Sequence, residues 1–287
     1  MERHLLLTVS EQQSAFCGVR FLGSFFANKQ DLRITLFYTA PKPAAVWKDE
    51  QSRDTEEHAK QQAHRIEARG REAIEAARVM LCRLGFPEEK IESKLTFRKH
   101  SKVKDIIHEG TAGRYDAVVL GRRGLSWLEE VFSESVSKEL LGTRVNFPLW
   151  FCRKPKESCR DVLVCLDGSE SAFRMADHVG FMLAPEPDHL IRLLVVRSGR
   201  LSSDPDPDTI FATARSHLIE NGFPAEKVAT KVVDDSNAAR AILKELESVS
   251  YGTVAVGRGD PDRGFFMGSV CEKLFREVEQ TAMWISY

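Results

Sequence analysis

The sequence lacks the features that identify several common classes of protein. Its 287 residues contain no run approaching the roughly 20 apolar residues that a membrane-spanning helix needs. The mostly apolar stretch after His4 is too short for the apolar region of a secretory signal. The net charge of -1 provides no global basic field to hold nucleic acid or an anionic membrane. We therefore expect a cytoplasmic globular protein whose partners include neither nucleic acid nor membrane.

Cysteine and histidine are also sparse. The 6 cysteines include no Cys-x-x-Cys pair, and we interpret them as reduced and mostly buried. Pairing of Cys152 with Cys159 under oxidation remains an alternative. The 8 histidines fall singly, without the same-face spacing of metal ligands, so no metal site is expected.

Catalytic motifs are missing as well. The chain contains no His-Glu-x-x-His, no Gly-x-Ser-x-Gly and no Gly-Lys-Ser/Thr phosphate loop. The sequence also offers no residue in the position of a general base for hydrolysis of a bound nucleotide. We therefore expect a protein that is not an enzyme, with an ATPase left open as an alternative.

What the sequence does contain is one unit that occurs twice. An apolar run ends at Gly121-Arg-Arg-Gly124 and is followed, after nine residues, by Glu134-Ser135. Similar segments recur in the same order in both halves, which indicates an internal duplication with domains at 1–154 and 160–287. The matching pairs are 115–121 with 251–257, 14–16 with 171–173, 84–91 with 221–228, and 149–151 with 283–285.

Within each unit, apolar strands alternate with amphipathic helices. This order predicts a parallel sheet with right-handed crossovers. Ser10 and Gln13 have the spacing of a capping box for the first helix. A long, charged helix is predicted at 50–84, and its counterpart near 207–221 is shorter; the charge run is most simply a solvated face.

The glycine-bearing turn of each unit leads from a strand into a helix N-terminus. This arrangement presents backbone N–H groups and the positive end of the helix dipole to an anion. A single turn of this kind would be a weak signal, but here it recurs in both units.

These residues resemble the universal stress protein family, in a tandem form that covers nearly the whole chain. The resemblance implies an α/β fold of two tandem open five-stranded, mainly parallel sheets flanked by helices. This fold is adenine nucleotide α-hydrolase-like and Rossmann-like, and the halves would pack as an intramolecular pseudo-dimer. The last strands of the family pair antiparallel across a two-fold axis, which places Trp150 and Trp284 at the join. We expect the two sheets to stay separate and to meet through these strands.

Many members of that family bind ATP. Their signature is Gly-x-x-Gly, nine residues, then Gly-Ser or Gly-Thr, together with an aspartate after the first strand and a backbone contact at the end of the second. The first copy departs from it, because Glu134 replaces a glycine and places a negative charge at the helix N-terminus. We interpret this copy as a degenerate loop, and the positions concerned are Ser10, Thr39, Gly121, Gly124, Glu134 and Ser135.

The second copy keeps a different subset of the signature. Its loop carries Asp260 where the second glycine belongs and is two residues shorter, so Arg258 or Arg263 would have to supply phosphate contacts. The alternative is that Asp167 merely caps its helix. The candidate nucleotide-binding residues are Asp167, Val196, Gly257, Gly268, Ser269 and Val270.

Two functions follow as hypotheses. The first is a stress-response regulator with at most one degenerate ATP site, in the second half, and ATP as its only expected cofactor. The second is a protein-interaction module that binds no nucleotide and meets an unidentified protein through the helix at 50–84. A homodimer is left open.

Overall fold

The computed structural model describes residues 2–11, 16–42, 53–121, 145–153, 156, 159–197, 206–258 and 268–286. Gly124, Glu134 and Ser135 and the helix predicted from Ser135 lie outside the described residues, as do Asp260 and Arg263. Of the helices in the described part, none is both long and apolar enough to cross a membrane.

The first half alternates strands and helices in the predicted order. The long helix is confirmed at 31 residues, which corresponds to about 46 Å. The elements are β1 (Arg3–Thr8), α1 (Cys17–Phe25), β2 (Leu32–Ala40), α2 (Arg53–Arg83), β3 (Ile91–Phe97), α3 (Lys102–Ala112), β4 (Ala117–Gly121) and β5 (Leu149–Cys152).

The second half repeats this order. Its second helix has 14 residues, less than half the length of its counterpart α2. The elements are β6 (Val162–Leu166), α4 (Glu170–Leu183), β7 (Ile191–Arg197), α5 (Pro207–Glu220), β8 (Val228–Asp234), α6 (Ala238–Ser248), β9 (Thr253–Val256), α7 (Ser269–Glu277) and β10 (Ala282–Ile285).

The strands of both halves belong to one sheet of 10 strands, in the order β3-β2-β1-β4-β5-β10-β9-β6-β7-β8. Each half is five-stranded and parallel within itself, as predicted, and its strands follow the same order outward from the join. The expectation of two separate sheets is corrected. The antiparallel pair β5–β10 joins their edges by hydrogen bonds, so the pairing that the resemblance implies itself makes the sheet continuous.

Two apolar layers cover the sheet and extend across both halves. Apart from the edge strands β3 and β8, the strands are buried on both faces, which explains their largely apolar content. Helices α1, α2, α4 and α5 contribute buried side chains to one layer, and α3, α6 and α7 contribute them to the other. Helix α1 begins at Cys17, with Phe16 at its N-cap and no side-chain cap. The capping box predicted from Ser10 and Gln13 involves Gln13, which lies outside the described residues.

The join of the halves is built around two stacked indoles. Trp150 and Trp284 face each other across the β5–β10 pair, with ring centroids 3.9 Å apart and planes within 3°. Both are fully buried, and Trp150 Nε1 donates a hydrogen bond to His178 Nε2 at 3.1 Å. The predicted position of both tryptophans is confirmed. Covering these strand edges also removes a template for aggregation.

Charged groups cross the same join. The Arg3 guanidinium donates to the Met182 carbonyl at 2.5 Å and lies 3.7 Å from a Glu186 carboxylate oxygen. Glu186 in turn accepts the backbone N–H of Ala27 at 2.7 Å. Both charged side chains are almost completely buried, so each depends on the other half for its partner.

Cys152 and Cys159 are free thiols in different surroundings. Cys152 is fully buried, and burial raises the pKa of its thiol well above the ordinary value, with Cys17 nearby as a second cause. Cys159 Sγ donates instead to the Ser250 carbonyl at 3.0 Å. The pairing of Cys152 with Cys159 therefore stays a prediction about oxidised protein.

Candidate functional site

A cavity of about 260 Å³ opens at the carboxyl edge of the second half. It lies where β6 separates β7 on one side from β9 on the other, the switch point at which ligands bind in open parallel sheets. Helices α6 and α7 close it from above. The described lining residues are Cys165, Leu166, Asp167, Leu194, Val196, Ala238, Ile242, Val256, Gly257, Arg258, Gly268, Ser269, Val270 and Cys271.

The structure brings together every candidate residue of the second half. They come from four separate segments of the chain and line this one cavity. Their role in holding a nucleotide stays a prediction. The six are Asp167, Val196, Gly257, Gly268, Ser269 and Val270.

Asp167 lies at the exposed mouth of the cavity, in the turn between β6 and α4. Its Oδ1 accepts the backbone N–H of Ser169 at 2.9 Å, and Gly168 between them adopts a φ of 79° that favours glycine. The cap of α4 is Ser169, whose hydroxyl accepts the Ala172 N–H at 3.2 Å. The alternative that Asp167 caps this helix is therefore wrong, and its carboxylate shapes the mouth.

Gly257 has a packing explanation of its own. A Cβ atom at this position would lie 2.7 Å from the Ala172 backbone nitrogen and 2.8 Å from Ser171 Oγ. The end of β9 thus passes too close to the start of α4 for any side chain. This close approach accounts for the glycine without a phosphate group.

The N-terminus of α7 forms one wall of the cavity. Gly268 is its N-cap residue, and no side chain of the described residues caps it. The Gly268 N–H donates to the Arg258 carbonyl at 3.0 Å and so ties the start of α7 to the end of β9. Ser269, Val270 and Cys271 in the first turn line the cavity. This end of the helix carries the positive part of its dipole and suits an anion.

Arg258 adds a full positive charge to the same wall. It is half-buried, and burial lowers the pKa of its guanidinium, an effect that the nearby Cys271 thiol partly opposes. Among the 14 described lining residues it is the single cationic side chain. Sequence reasoning named it only as an option for phosphate contact; the structure places it at the cavity.

The remaining wall is apolar and was not predicted from the sequence. Burial raises the pKa of Cys271 to about 12 and that of Cys165 further, so both thiols stay protonated at neutral pH. Leu194 precedes the predicted site residue Val196 by two positions in β7, and strand alternation places both on the same face. Cys165 lies in β6, two positions before Asp167 in the turn that follows. The two-residue alternation of side chains along a strand could therefore have predicted this part of the wall from the sequence. Ala238 and Ile242 come from α6, where no motif marks them.

The first half is different at the equivalent edge. Gly121 ends β4, Thr39 lies near the end of β2, and Ser10 follows β1. The hydroxyl oxygens of Ser10 and Thr39 are inaccessible to solvent and find no hydrogen-bond partner within the described part of the chain. The interpretation of this edge as a degenerate site stays a prediction. Over the described residues as a whole, no cluster of three or more potential ligands could hold a metal ion.

Known structures share this fold. A universal stress protein from Archaeoglobus fulgidus DSM 4304 has a TM-score of 0.68 at 17% identity, covering 99% of this chain and 97% of that one. A functionally unknown protein from Pseudomonas aeruginosa PAO1 has a TM-score of 0.52 at 13% identity, covering 99% and 92%. An Arabidopsis thaliana universal stress protein family protein with AMP bound, 16% identical, covers 52% and 90% with a TM-score of 0.34, too low to support an argument about this chain.

A search of curated proteins finds no significant match. The family comparison is decisive, because the universal stress protein family matches residues 1–150 and again residues 159–284. These two matches span nearly the whole length and coincide with the two halves of the sheet. The chain belongs to the universal stress protein family, in a tandem form.

Proposed function

We propose that the protein is a cytoplasmic stress-response regulator that binds one adenine nucleotide, in the cavity of its second half. The observation that supports this proposal is the convergence of residues from four distant segments on one cavity at the switch point of the sheet. The role proposed is binding, and steady nucleotide turnover by the purified chain would contradict it.

Each wall has a part in this proposal. The apolar wall of Leu194, Val196 and Ile242 provides a surface for the base. The Asp167 carboxylate at the mouth accepts hydrogen bonds from hydroxyl or amino groups of the ligand. The N-terminus of α7 and the Arg258 guanidinium face the phosphate.

Isothermal titration with adenine nucleotides, up to millimolar concentration, tests the proposal. Asp167→Ala removes an acceptor at the mouth, and we expect it to weaken binding about ten-fold or more, since a hydrogen bond to a charged group contributes about 1.5–3 kcal/mol. Ser10→Ala changes the equivalent position of the first half and should leave binding unchanged. No binding by the unaltered chain, or equal binding by the Asp167 variant, would contradict the proposal.

The exposed part of α2 favours a second candidate. None of the residues 56–65 is buried, whereas the later part of the helix packs Ala73, Ala77 and Leu81 into the core. We propose as the alternative that this free segment meets a protein partner and that the chain acts as an interaction module.

A further inference from the structure

The strand register shows which residues of the two halves occupy the same place at the join. Ile34 and Ile191 correspond, because each pairs with the matching residue of the strand beside it, in β1 and in β6. The repeated segments 14–16 and 171–173 have the same separation along the chain, so no insertion interrupts the match. The corresponding pairs at the join are Arg3 with Arg160, Ala27 with Ala184, Asn28 with Pro185, and Lys29 with Glu186.

The Glu186 carboxylate of the second half is held by three groups of the first half. One carboxylate oxygen lies 3.7 Å from the Arg3 guanidinium. The other accepts the backbone N–H of Ala27 at 2.7 Å and that of Asn28 at 3.3 Å. We call these three donors of the first half the carboxylate site. Because Glu186 is only 1% exposed, its charge depends on this site.

The second half does not offer the same site to a carboxylate. Pro185 has no backbone N–H to donate. The Ala184 N–H already donates to the last turn of α4, at 2.9 Å. The Arg160 guanidinium is 36% exposed and donates to Asp188 at 2.9 Å. If two second halves paired, each Glu186 would therefore meet donors that are missing or engaged.

The first half, in turn, has no carboxylate at the corresponding position. Lys29 stands there, half-buried, with its ammonium 5.8 Å from the centre of the Phe86 ring. Burial lowers the pKa of this ammonium and Arg160 lowers it further, whereas Glu186 opposes them. If two first halves paired, Lys29 would face Arg3, which is 1% exposed, and like charges repel strongly away from water.

From these observations we propose that each join face is specific for the unlike half. The carboxylate site of the first half takes a carboxylate that the second half supplies, and the lysine of the first half acts against a pair of first halves. The partner that fits the first-half face is therefore a second half, never the first half of another copy. The join is not a symmetric interface, in which the same groups would meet themselves, although the fold is repeated.

Refolding of the cut chain tests this proposal. A protease site introduced between residues 157 and 158 allows the folded full-length protein to be cut into its halves, which are then unfolded in urea and refolded together. The halves differ in length, so native mass spectrometry distinguishes each kind of pair. We expect unlike pairs to exceed like pairs by about ten-fold or more. Like pairs as abundant as unlike ones would overturn the proposal, and so would halves that stay single.

A charge reversal at Lys29 separates specificity from stability. Lys29→Glu gives the first-half face both a carboxylate and the carboxylate site, so pairs of first halves should increase by about ten-fold or more. Lys60→Glu is the matched control, because it makes the same change of charge at an exposed residue of α2 and should leave the pairing unchanged. If the Lys29 variant forms no more pairs of first halves than this control, the role assigned to the charge at this position is overturned.

Discussion

At the scale of single residues, the duplication extends to a buried, hydrogen-bonded glutamate in each half, which the repeated sequence motifs did not predict. Tyr115 donates to Glu109 at 2.9 Å, and Lys94 pairs with the same carboxylate at 2.6 Å. The second half repeats this arrangement at the equivalent helix, strand and turn. There Tyr251 donates to Glu245 at 2.8 Å and Lys231 lies 2.5 Å from it.

The Glu245 carboxylate is 4% exposed and satisfied on every side. Burial alone would raise its pKa, but hydrogen bonds from Lys231, Tyr251 and Arg192 outweigh this and lower it. The carboxylate therefore stays charged in the fold, where an unpaired charge would be costly. Sequence reasoning missed this group, because its members come from a strand, a helix and a turn with no fixed spacing.

We expect Tyr251→Phe to lower the free energy of unfolding by about 1–2 kcal/mol, since it removes the donor to Glu245 and also leaves Arg192, which donates to the Tyr251 oxygen at 2.9 Å, without that acceptor. Tyr115→Phe removes the equivalent donor and also the contact with the Thr35 hydroxyl, but Thr35 keeps His4 Nε2 as a partner, so the cost should be about 1 kcal/mol. Chemical denaturation of both variants measures the difference. A larger loss in the first half than in the second would contradict the assignment.

At the scale of elements, periodicity predicted most of the fold. The helices at 53–83 and 207–220 and the alternation of strands follow directly from apolar spacing, which burial of one helix face and both strand faces imposes. The start of α1 was not predictable in this way. Ser10 and Gln13 have capping-box spacing, but the described helix has Phe16 at its N-cap and no side-chain cap, and Gln13 lies outside the described residues.

The N-terminal part of α2 is predicted to be dispensable for folding. None of residues 56–60 is buried, so removing them should change the free energy of unfolding by no more than about 0.5 kcal/mol. Leu81→Ala in the same helix is the control. The Leu81 side chain is fully buried, so its truncation should lower the free energy of unfolding by about 2–5 kcal/mol.

The same truncation tests the interaction hypothesis. A protein partner that binds the full chain directly and fails to bind the truncated one supports a role for this segment. An unchanged affinity for every partner of the full chain would contradict it.

At the scale of the whole molecule, the sequence predicted the duplication and the position of its join, but not the chemistry of the join. Trp150 and Trp284 were placed correctly, because the terminal strand of each unit carries one of them. The contacts of Arg3 with Met182 and Glu186 span about 180 positions of sequence, and no local pattern encodes them. For the candidate site, the signature residues predicted which edge of the sheet carries the cavity. The apolar wall of the cavity could not be predicted from the sequence, because it depends on how α6 packs.

Two buried histidines make the join sensitive to acid. His178 accepts the Trp150 indole N–H, which requires an unprotonated Nε2, and burial lowers its pKa to about 3. His189 packs edge-on against Phe25, with ring centroids 4.6 Å apart. Burial, with a smaller contribution from Arg160, lowers its pKa to about 4. Neither imidazole accepts a proton in the folded protein at mildly acidic pH.

We expect the stability of the whole chain to fall as the pH is lowered through this range. The unfolded chain binds protons at these residues near the ordinary pKa of 6.5, whereas the folded chain does so only near 3 and 4. Their contribution is complete above pH 6.5 and is lost progressively towards pH 4 for His189 and towards pH 3 for His178. Because one pKa unit corresponds to about 1.4 kcal/mol, each histidine should lower the free energy of unfolding by about 2 kcal/mol between pH 7 and pH 5.

His189→Phe provides the matched comparison. Neither ring nitrogen of His189 makes a hydrogen bond of good geometry within the described chain, although the Phe25 backbone lies close, so an apolar ring of similar shape should fit. Glu186 acts in the opposite sense, since burial raises its pKa and its protonation favours the folded form, but this contribution is common to both proteins. Urea denaturation at pH 7 and pH 5 should therefore show about 2 kcal/mol less acid destabilisation in the variant. An identical pH dependence would mean that His189 takes up its proton in the folded chain near its ordinary pKa.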